Sequence, residues 1–467
     1  MKKNMLYVLG ANFTSLIINV VSNIILPKYL SIETYAYIKT YVLYISFAGI
    51  FAFGYNDGMY LKYGGMDLKK IPKKDLGDNF INYMIMELMA FIVLLTVGIF
   101  SDNMILVAFA FGMIASNMIG YLKSLYQGTG EFKDYGKTLN IEKIALFLGN
   151  IILLFVMKSD NYMYYIWIQV VVNIAIMIYL CLRLQKRLSF IQKGRIQLME
   201  FQNNIRSGYI LMLGNFSNIF FTGINRWFAK LFMGTTPFAM LSFAVSMENV
   251  LNVFTTPITI SLYNYLCKGY TKEWLLKIKR LILVWGFFVI AAAFPAKFIL
   301  ENYLVKYTDA SEIIFFLFAT QVFYIIIKGI YINIYKANQN QQKYLKQMIT
   351  MIIVAIILNA VLYWLFHTIV AIAVATLVTA IIWFAICEYE DKEMRFNVKE
   401  IMAMIVLISI YLWCGVKLSA ILGLSVYLIS ASIIIGVLMT DSMRYIIDNI
   451  IIGAIKNVFC ADKEKTE

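Results

Sequence analysis

Histidine is almost missing from this chain: His367 is the only one in 467 residues. Cysteine occurs five times, and no Cys/His set has metal-ligand spacing, so a metal centre of the zinc type is excluded. Charge is scarce as well. Charged residues make up 15% of the chain and hydrophobic residues 61%, far from the mix of about a quarter charged found in soluble domains. A soluble globular domain is therefore excluded. Walker and dinucleotide-binding loops are absent, and the glycines of "GTGEF" (128–132) fall in a loop between apolar runs rather than in a phosphate cradle. The longest segment expected outside, "LENYLVKYTDA" (300–310), leaves no room for a folded catalytic domain. An enzyme is not expected, and neither a cofactor nor a metal is called for.

What the chain does have is apolar runs long enough to cross about 30 Å of hydrocarbon as helices of roughly 20 residues. They fall at about 5–27, 35–57, 80–100, 103–125, 141–157, 161–182, 207–230, 236–262, 280–299, 311–335, 345–366, 369–387, 400–416 and 420–439. None shows the period-two alternation of a membrane barrel. The expected fold is thus an all-α polytopic membrane protein with about 14 transmembrane helices. Lys2 and Lys3 precede an apolar run too long for a cleaved signal, which is expected to remain as the first helix.

The net charge of +14 raises the question of nucleic acid, but its placement answers it. With the amino terminus inside, the basic residues collect at Lys2 and Lys3, in 62–74, 123–143, 183–206, 268–280, 336–346 and 392–399, and in the tail. The outer loops hold Lys28, Lys158, Lys297, Lys306 and Lys417. Every alternate loop obeys the positive-inside rule, so the charge encodes topology and no nucleic-acid partner is expected. Both termini are expected in the cytoplasm, in a bacterial cytoplasmic membrane. None of the cysteines (181, 267, 387, 414 and 460) falls in an outer loop, so no disulfide framework is implied.

A constant difference of 203 aligns "ANFTSLIINVVSNIILPKYLSIETYAYI" from residue 11 with "GNFSNIFFTGINRWFAKLFMGTTPFAML" from residue 214. Asn12, Phe13 and Ala36 fall on Asn215, Phe216 and Ala239; Val42, Phe51 and Tyr60 fall on Val245, Phe254 and Tyr263. In the first run Asn12, Ser15, Asn19, Ser22 and Asn23 recur at steps of three and four, and in the seventh Asn215, Asn218, Thr222, Asn225 and Arg226 do the same. Such steps place each set on one helix face. A parallel repeat of two six-helix lobes is expected, with the stripes facing a cleft between them. The plainer alternative is that the stripes join helices to one another. The expected division is 1–183 for the first lobe, 184–206 for a basic linker, 207–387 for the second lobe, 388–440 for helices 13 and 14, and 441–467 for a cytoplasmic amphipathic helix and tail.

Few ionisable residues sit within the runs: Lys39, Glu87, Arg226, Lys230, Glu248 and Lys328. A cation at a helix centre costs roughly 2.5 to 3.5 kcal/mol on insertion scales. Lys39 and Lys230 lie near the outer interface and can snorkel, whereas Arg226 and Lys328 lie deeper. Cations gathered in a cleft favour an anionic solute, and the arginine fork suits phosphate. Glu248 is either a salt-bridge partner for one of the cations, with Arg226 the one to check, or a group that couples transport to an ion. Glu87 carries the same two alternatives. Without a nucleotide site, transport is expected to run on an ion gradient (H+ or Na+), the membrane potential or the substrate's own gradient.

The first two runs, "LGANFTSLIINVVSNIILPKYLSIETYAYIKTYVLYISFAGIFAFGYNDGMYLKY", together with "GINRWFAKLFMGTTPFAML", resemble the polysaccharide-unit flippases of the Wzx type. That family shares a superfamily with the lipid II flippase and the multidrug and toxin extrusion transporters. Ala36 stands where a glycine is usual, and Asn225 where an Asp usually precedes the Arg. The resemblance implies a V-shaped two-lobe fold with alternating access and a cationic lumen for an undecaprenyl-diphosphate-linked oligosaccharide. Arg226 would be the main phosphate contact, Lys39, Lys328 and Lys230 would add to the field, and Asn12, Asn19, Asn23, Asn215, Asn218 and Asn225 would bond sugar hydroxyls. Spans 13 and 14 would line a groove for the lipid tail. It implies a monomer serving capsule, exopolysaccharide or O-antigen assembly beside a polysaccharide polymerase. The alternatives are a lipid II flippase and a cation-coupled drug exporter.

Overall fold

The computed structural model describes residues 17–191, 194–267 and 269–439. The start of the first span, with Asn12, and the tail helix expected at 441–467 lie outside the described residues. Within them all regular structure is helical. In the first half these helices are α1 (Ile17–Tyr29), α2 (Ile32–Ser46), α3 (Tyr55–Tyr63), α4 (Lys73–Phe100), α5 (Met104–Gly128), α6 (Phe132–Ile151), α7 (Tyr162–Leu188), α8 (Leu198–Phe232) and α9 (Thr235–Glu248). There follow α10 (Asn252–Leu266), α11 (Lys272–Ile290), α12 (Ala293–Asn302), α13 (Ala310–Ile326), α14 (Ile332–Ala337), α15 (Gln341–Phe366), α16 (Ile369–Glu390), α17 (Val398–Lys417) and α18 (Ala420–Leu438).

Short polar side chains begin many of them. Ser31 accepts from the Thr34 amide ahead of α2, Asn103 from Ile105 and Leu106 ahead of α5, and Asn397 forms a capping box with Glu400 at α17. Among the described residues ten helices are long and apolar enough to cross a membrane, and two bent pairs, α2 with α3 and α9 with α10, bring the number to twelve. The chain is a multi-pass membrane protein. Of the two remaining apolar runs, α1 is described only from Ile17. The other is α8, the longest helix at 35 residues, whose asparagines, glycines and charged residues dilute its apolarity.

Two of the expected straight spans are broken, and at corresponding places. Helices α2 and α3 meet at 61° and α9 and α10 at 50°. In the first break the chain passes through a short 3-10 turn, Ala48–Ala52, and then through Phe53 (φ 45°) and Gly54 (φ 81°). Two successive left-handed residues stop a helix. In the second, a 3-10 turn at Asn249–Leu251 is followed by Pro257 inside α10, whose ring removes a helical hydrogen bond. The repeat read from the sequence reappears in the element bounds: α1 and α8 end at Tyr29 and Phe232, α2 and α9 start at Ile32 and Thr235, and α3 and α10 end at Tyr63 and Leu266, each pair 203 apart.

The chain forms two compact units, Met1–Ser242 and Phe243–Glu467. The first has a tyrosine-rich core in which Tyr83 stacks between Tyr55 (5.4 Å) and Tyr121 (5.1 Å). Helix α8 begins at Leu198, within the stretch expected to be linker, and its early turns pack on α3 and α4. The contact is backbone to backbone: an added Cβ on Gly58 would lie 1.9 Å from the Asn204 carbonyl oxygen, and one on Gly208 2.0 Å from that of Gly54. Close helix approach through small residues is the usual membrane solution. Around it Lys62 pairs with Asp75 (2.5 Å) and Glu200 (3.3 Å), Tyr63 donates to Asp75 (2.9 Å), and Asn204 donates to Asn79.

In the second unit α13 is buried along nearly its whole length, with α11, α16 and α17 around it. Two lysines staple this unit. Lys279 is fully buried and donates to the Tyr331 hydroxyl (2.8 Å), the Met394 carbonyl (2.6 Å) and the Glu388 carboxylate. Lys297, expected in an outer loop, lies in α12 and donates to the Gly415 and Leu418 carbonyls at 2.7 Å each, satisfying the end of α17.

Candidate functional site

In the first unit α1, α2 and α8 gather three of the expected cations. Lys39, on α2, donates to the Asn23 side-chain oxygen of α1 at 3.0 Å and lies 5.1 Å from the centre of the Tyr35 ring. Arg226 of α8 is within electrostatic reach of Lys39, so two like charges are held near each other. Lys230, one turn further along α8, lies 5.7 Å from the Tyr37 ring and 5.5 Å from that of Phe238. Facing aromatic rings attract cations by their quadrupole. Between Arg226 and the next turn, Trp227 stacks on Tyr44 with centroids 5.5 Å apart and meets Phe47 edge-on at 5.6 Å. The arrangement joins fixed positive charge, which suits a phosphate, to flat apolar rings, which suit the C–H face of a sugar.

The polar stripe of α8 runs on from this cluster. Asn215, Asn218 and Thr222 are exposed, while Asn225 and Arg226 are half-buried. From Asn215 to Arg226 is 11 residues, about 16 Å at 1.5 Å per residue. On α1, Asn19 is exposed and Asn23 half-buried. Asn215 donates to the Asp57 carboxylate at 3.1 Å. Sequence reasoning missed Asp57, and also Tyr44 and Trp227. The signal for Asp57 was there, in the polar pair of "GYNDG" at the end of an apolar run. It was hidden because a straight span was assumed where the chain bends.

Glu248 and Lys328 come together in the second unit. Glu248 is the last residue of α9; Gln321 donates to its carboxylate at 2.6 Å and Thr320 at 3.4 Å. Lys328 sits two turns beyond Gln321, in a π-bulge at Ile327–Tyr331, within electrostatic reach of Glu248 and 5.2 Å from the Tyr324 ring. Glu87 belongs to neither group. It is enclosed in the first unit between α4 and α5. No group of three or more His, Cys, Asp or Glu that could hold a metal exists among the described residues.

No protein-family model matches the sequence, and no curated protein sequence matches it. Solved structures do. The lipid II flippase MurJ in its inward closed conformation superposes with a TM-score of 0.57 at 16% identity, covering 92% of this chain and 98% of that one. The fold is that of MurJ. The inward-facing conformation of a multidrug resistance MATE family transporter of the MOP superfamily is also similar, with a TM-score of 0.49, 11% identity, and coverage of 82% of this chain and 95% of that one.

Proposed function

We propose that the chain is a flippase for a lipid-linked oligosaccharide. It moves an undecaprenyl-diphosphate-linked unit across the bacterial cytoplasmic membrane by alternating access, with both termini inside, in surface polysaccharide assembly upstream of a polymerase. The observation that carries this reading is the Lys39–Arg226 pair beside the Tyr44–Trp227 shelf, at the end of an exposed polar stripe. Two cations held together repel each other, and a diphosphate between them turns that repulsion into binding. The asparagine and threonine side chains offer donors and acceptors to sugar hydroxyls. In the second unit Lys328 lies within electrostatic reach of Glu248.

The likeness to the lipid II flippase MurJ supports a second cargo, lipid II itself. A drug exporter is favoured less. Exchange of a cationic drug for protons or sodium needs a carboxylate in the first or seventh span, and the described parts of α1 and α8 contain only Glu200, in the first turn of α8. The test is Arg226→Ala in the native host. Loss of surface polysaccharide at normal protein level supports the reading; unchanged polysaccharide removes Arg226 from it. A deletion strain that changes only in drug susceptibility would favour the exporter.

A further inference from the structure

One buried carboxylate is not used by the cargo site. Glu87 lies at the middle of α4, 14 residues from Lys73 and 13 from Phe100, and is 0% exposed. Its two oxygens share the Asn117 side-chain amide of α5, at 3.1 and 3.0 Å, and the Tyr83 hydroxyl is a second hydrogen-bond partner. The same amide donates to the Ala48 carbonyl at 3.0 Å. Ala48 opens the 3-10 turn at the 61° break between α2 and α3. Tyr83, one turn before Glu87 on α4, donates to the Asn117 carbonyl at 3.2 Å and accepts from Asn56, in the first turn of α3, at 2.9 Å. The carboxylate is thus tied through Asn117 to the upstream side of the bend, and its neighbour Tyr83 to the downstream side.

The groups around Glu87 are polar but not cationic. On its own helix it meets Tyr83; α5 supplies Asn117, and Tyr121, whose ring stacks on Tyr83; α3 supplies Asn56, and Tyr55 on the other face of Tyr83. Among the described residues no lysine or arginine pairs with it. An ionised carboxylate in an apolar interior needs a counter-cation or several donors, and Asn117 and Tyr83, each also bonded elsewhere, offer it only shared ones. Of the two roles open to Glu87 from the sequence, salt bridge and coupling group, the lack of a cationic partner among the described residues favours the second.

We propose that Glu87 is a proton-binding site whose occupancy sets the bend between α2 and α3. With the proton on, Asn117 serves both Glu87 and Ala48 and the bend is held. When the proton leaves, the charged carboxylate draws both the Asn117 amide and the Tyr83 hydroxyl toward itself, which weakens the bonds that Asn117 makes to Ala48 and Tyr83 to Asn56, and the bend relaxes. Gly54, immediately before α3, and Gly58 within it form the seam with α8, so the change reaches the helix that bears Arg226. Only the use of this proton as the coupling ion rests on the flippase reading; the site and its effect on the bend do not.

The test uses the purified full chain in lipid nanodiscs and needs no cargo. Infrared difference spectra across a pH titration should show a protonated carboxylic-acid band that Glu87→Gln abolishes. Spin labels at Glu33 and Leu61, both exposed and on opposite sides of the bend, in a background without the native cysteines, should report a distance change of several ångströms over the same pH range. Glu87→Gln should hold the low-pH distance at every pH, and Asn117→Ala should lose the pH response. Absence of a Glu87-dependent band, or an equal pH response in Glu87→Gln, overturns the proposal. The wild-type titration alone decides against it if the bend does not move with pH. Should a deletion strain change only in drug susceptibility, the flippase reading fails while these results stand.

Discussion

Replacing Gly208 by alanine tests whether the α3–α8 seam holds the first unit together. An alanine Cβ at this position would lie 2.0 Å from the Gly54 oxygen, 2.3 Å from the Gly58 nitrogen and 2.9 Å from the Gly58 Cα. Ordinary contact begins near 3.4 Å, so the two backbones have to part by about 1.4 Å. All three obstacles are main-chain atoms, which cannot rotate away as a side chain can. Overpacking of this kind costs about 1–3 kcal/mol, and the Asn204–Asn79 and Glu200–Lys62 contacts loosen with it. Gly214, six residues on in the same helix, has nothing within 4 Å of an added Cβ. Alanine there gains helix propensity of up to about 1 kcal/mol. The two substitutions should therefore move the unfolding temperature in detergent in opposite directions, at roughly 2–4 °C per kcal/mol. Cysteines placed at the same two positions add a packing readout, with Gly208→Cys protected from a maleimide and Gly214→Cys labelled. Equal shifts of the two alanine variants, or equal labelling, would refute the close approach.

Other perturbations follow from single side chains. Lys279→Ala strands the Glu388 carboxylate in the second unit and should cost about 3–5 kcal/mol, visible as loss of folded protein on size exclusion; pairing it with Glu388→Leu should restore most of it. Lys297→Met removes two charge-assisted bonds to the end of α17, each contributing about 1.5–3 kcal/mol, and hydrogen exchange should rise selectively at Gly415–Leu418. Arg226→Gln should weaken binding of a polyprenyl diphosphate by roughly 10- to 100-fold, the equivalent of about 1.5–3 kcal/mol. Native mass spectrometry with that lipid measures it, and unchanged occupancy argues against the phosphate role. Asn23→Ala should lower the same affinity less, because it frees Lys39 from one bond without removing charge.

Much of the fold was legible because insertion into a bilayer is decided locally. Each apolar run carries its own reason to be a helix, since a backbone in hydrocarbon must satisfy its own hydrogen bonds. The repeat was legible for a related reason: a shared register of polar residues survives as a shared register of helix ends, 203 apart. The candidate site was legible only as a set of residue types. Lys39 and Arg226 are recognisable as costly cations, but nothing along the chain says that they approach each other or that Asn23 holds one of them. Glu248 read as a partner to check for Arg226, and packing within the second unit engages it with Gln321, Thr320 and Lys328.

By itself, then, the sequence determined that this is a multi-pass helical membrane protein with two related halves and a few ionisable residues that membrane insertion would not tolerate without purpose. Tertiary structure alone decided where the second span of each half bends, that α8 starts early and lies backbone to backbone on α3, that Lys279 and Lys297 are staples, and that Glu87 is buried with no cation paired to it among the described residues. Hydropathy acts on consecutive residues and can be read along a line. Pairing, desolvation and the room for a Cβ depend on atoms far away in the chain, and those distances exist only after the helices have packed.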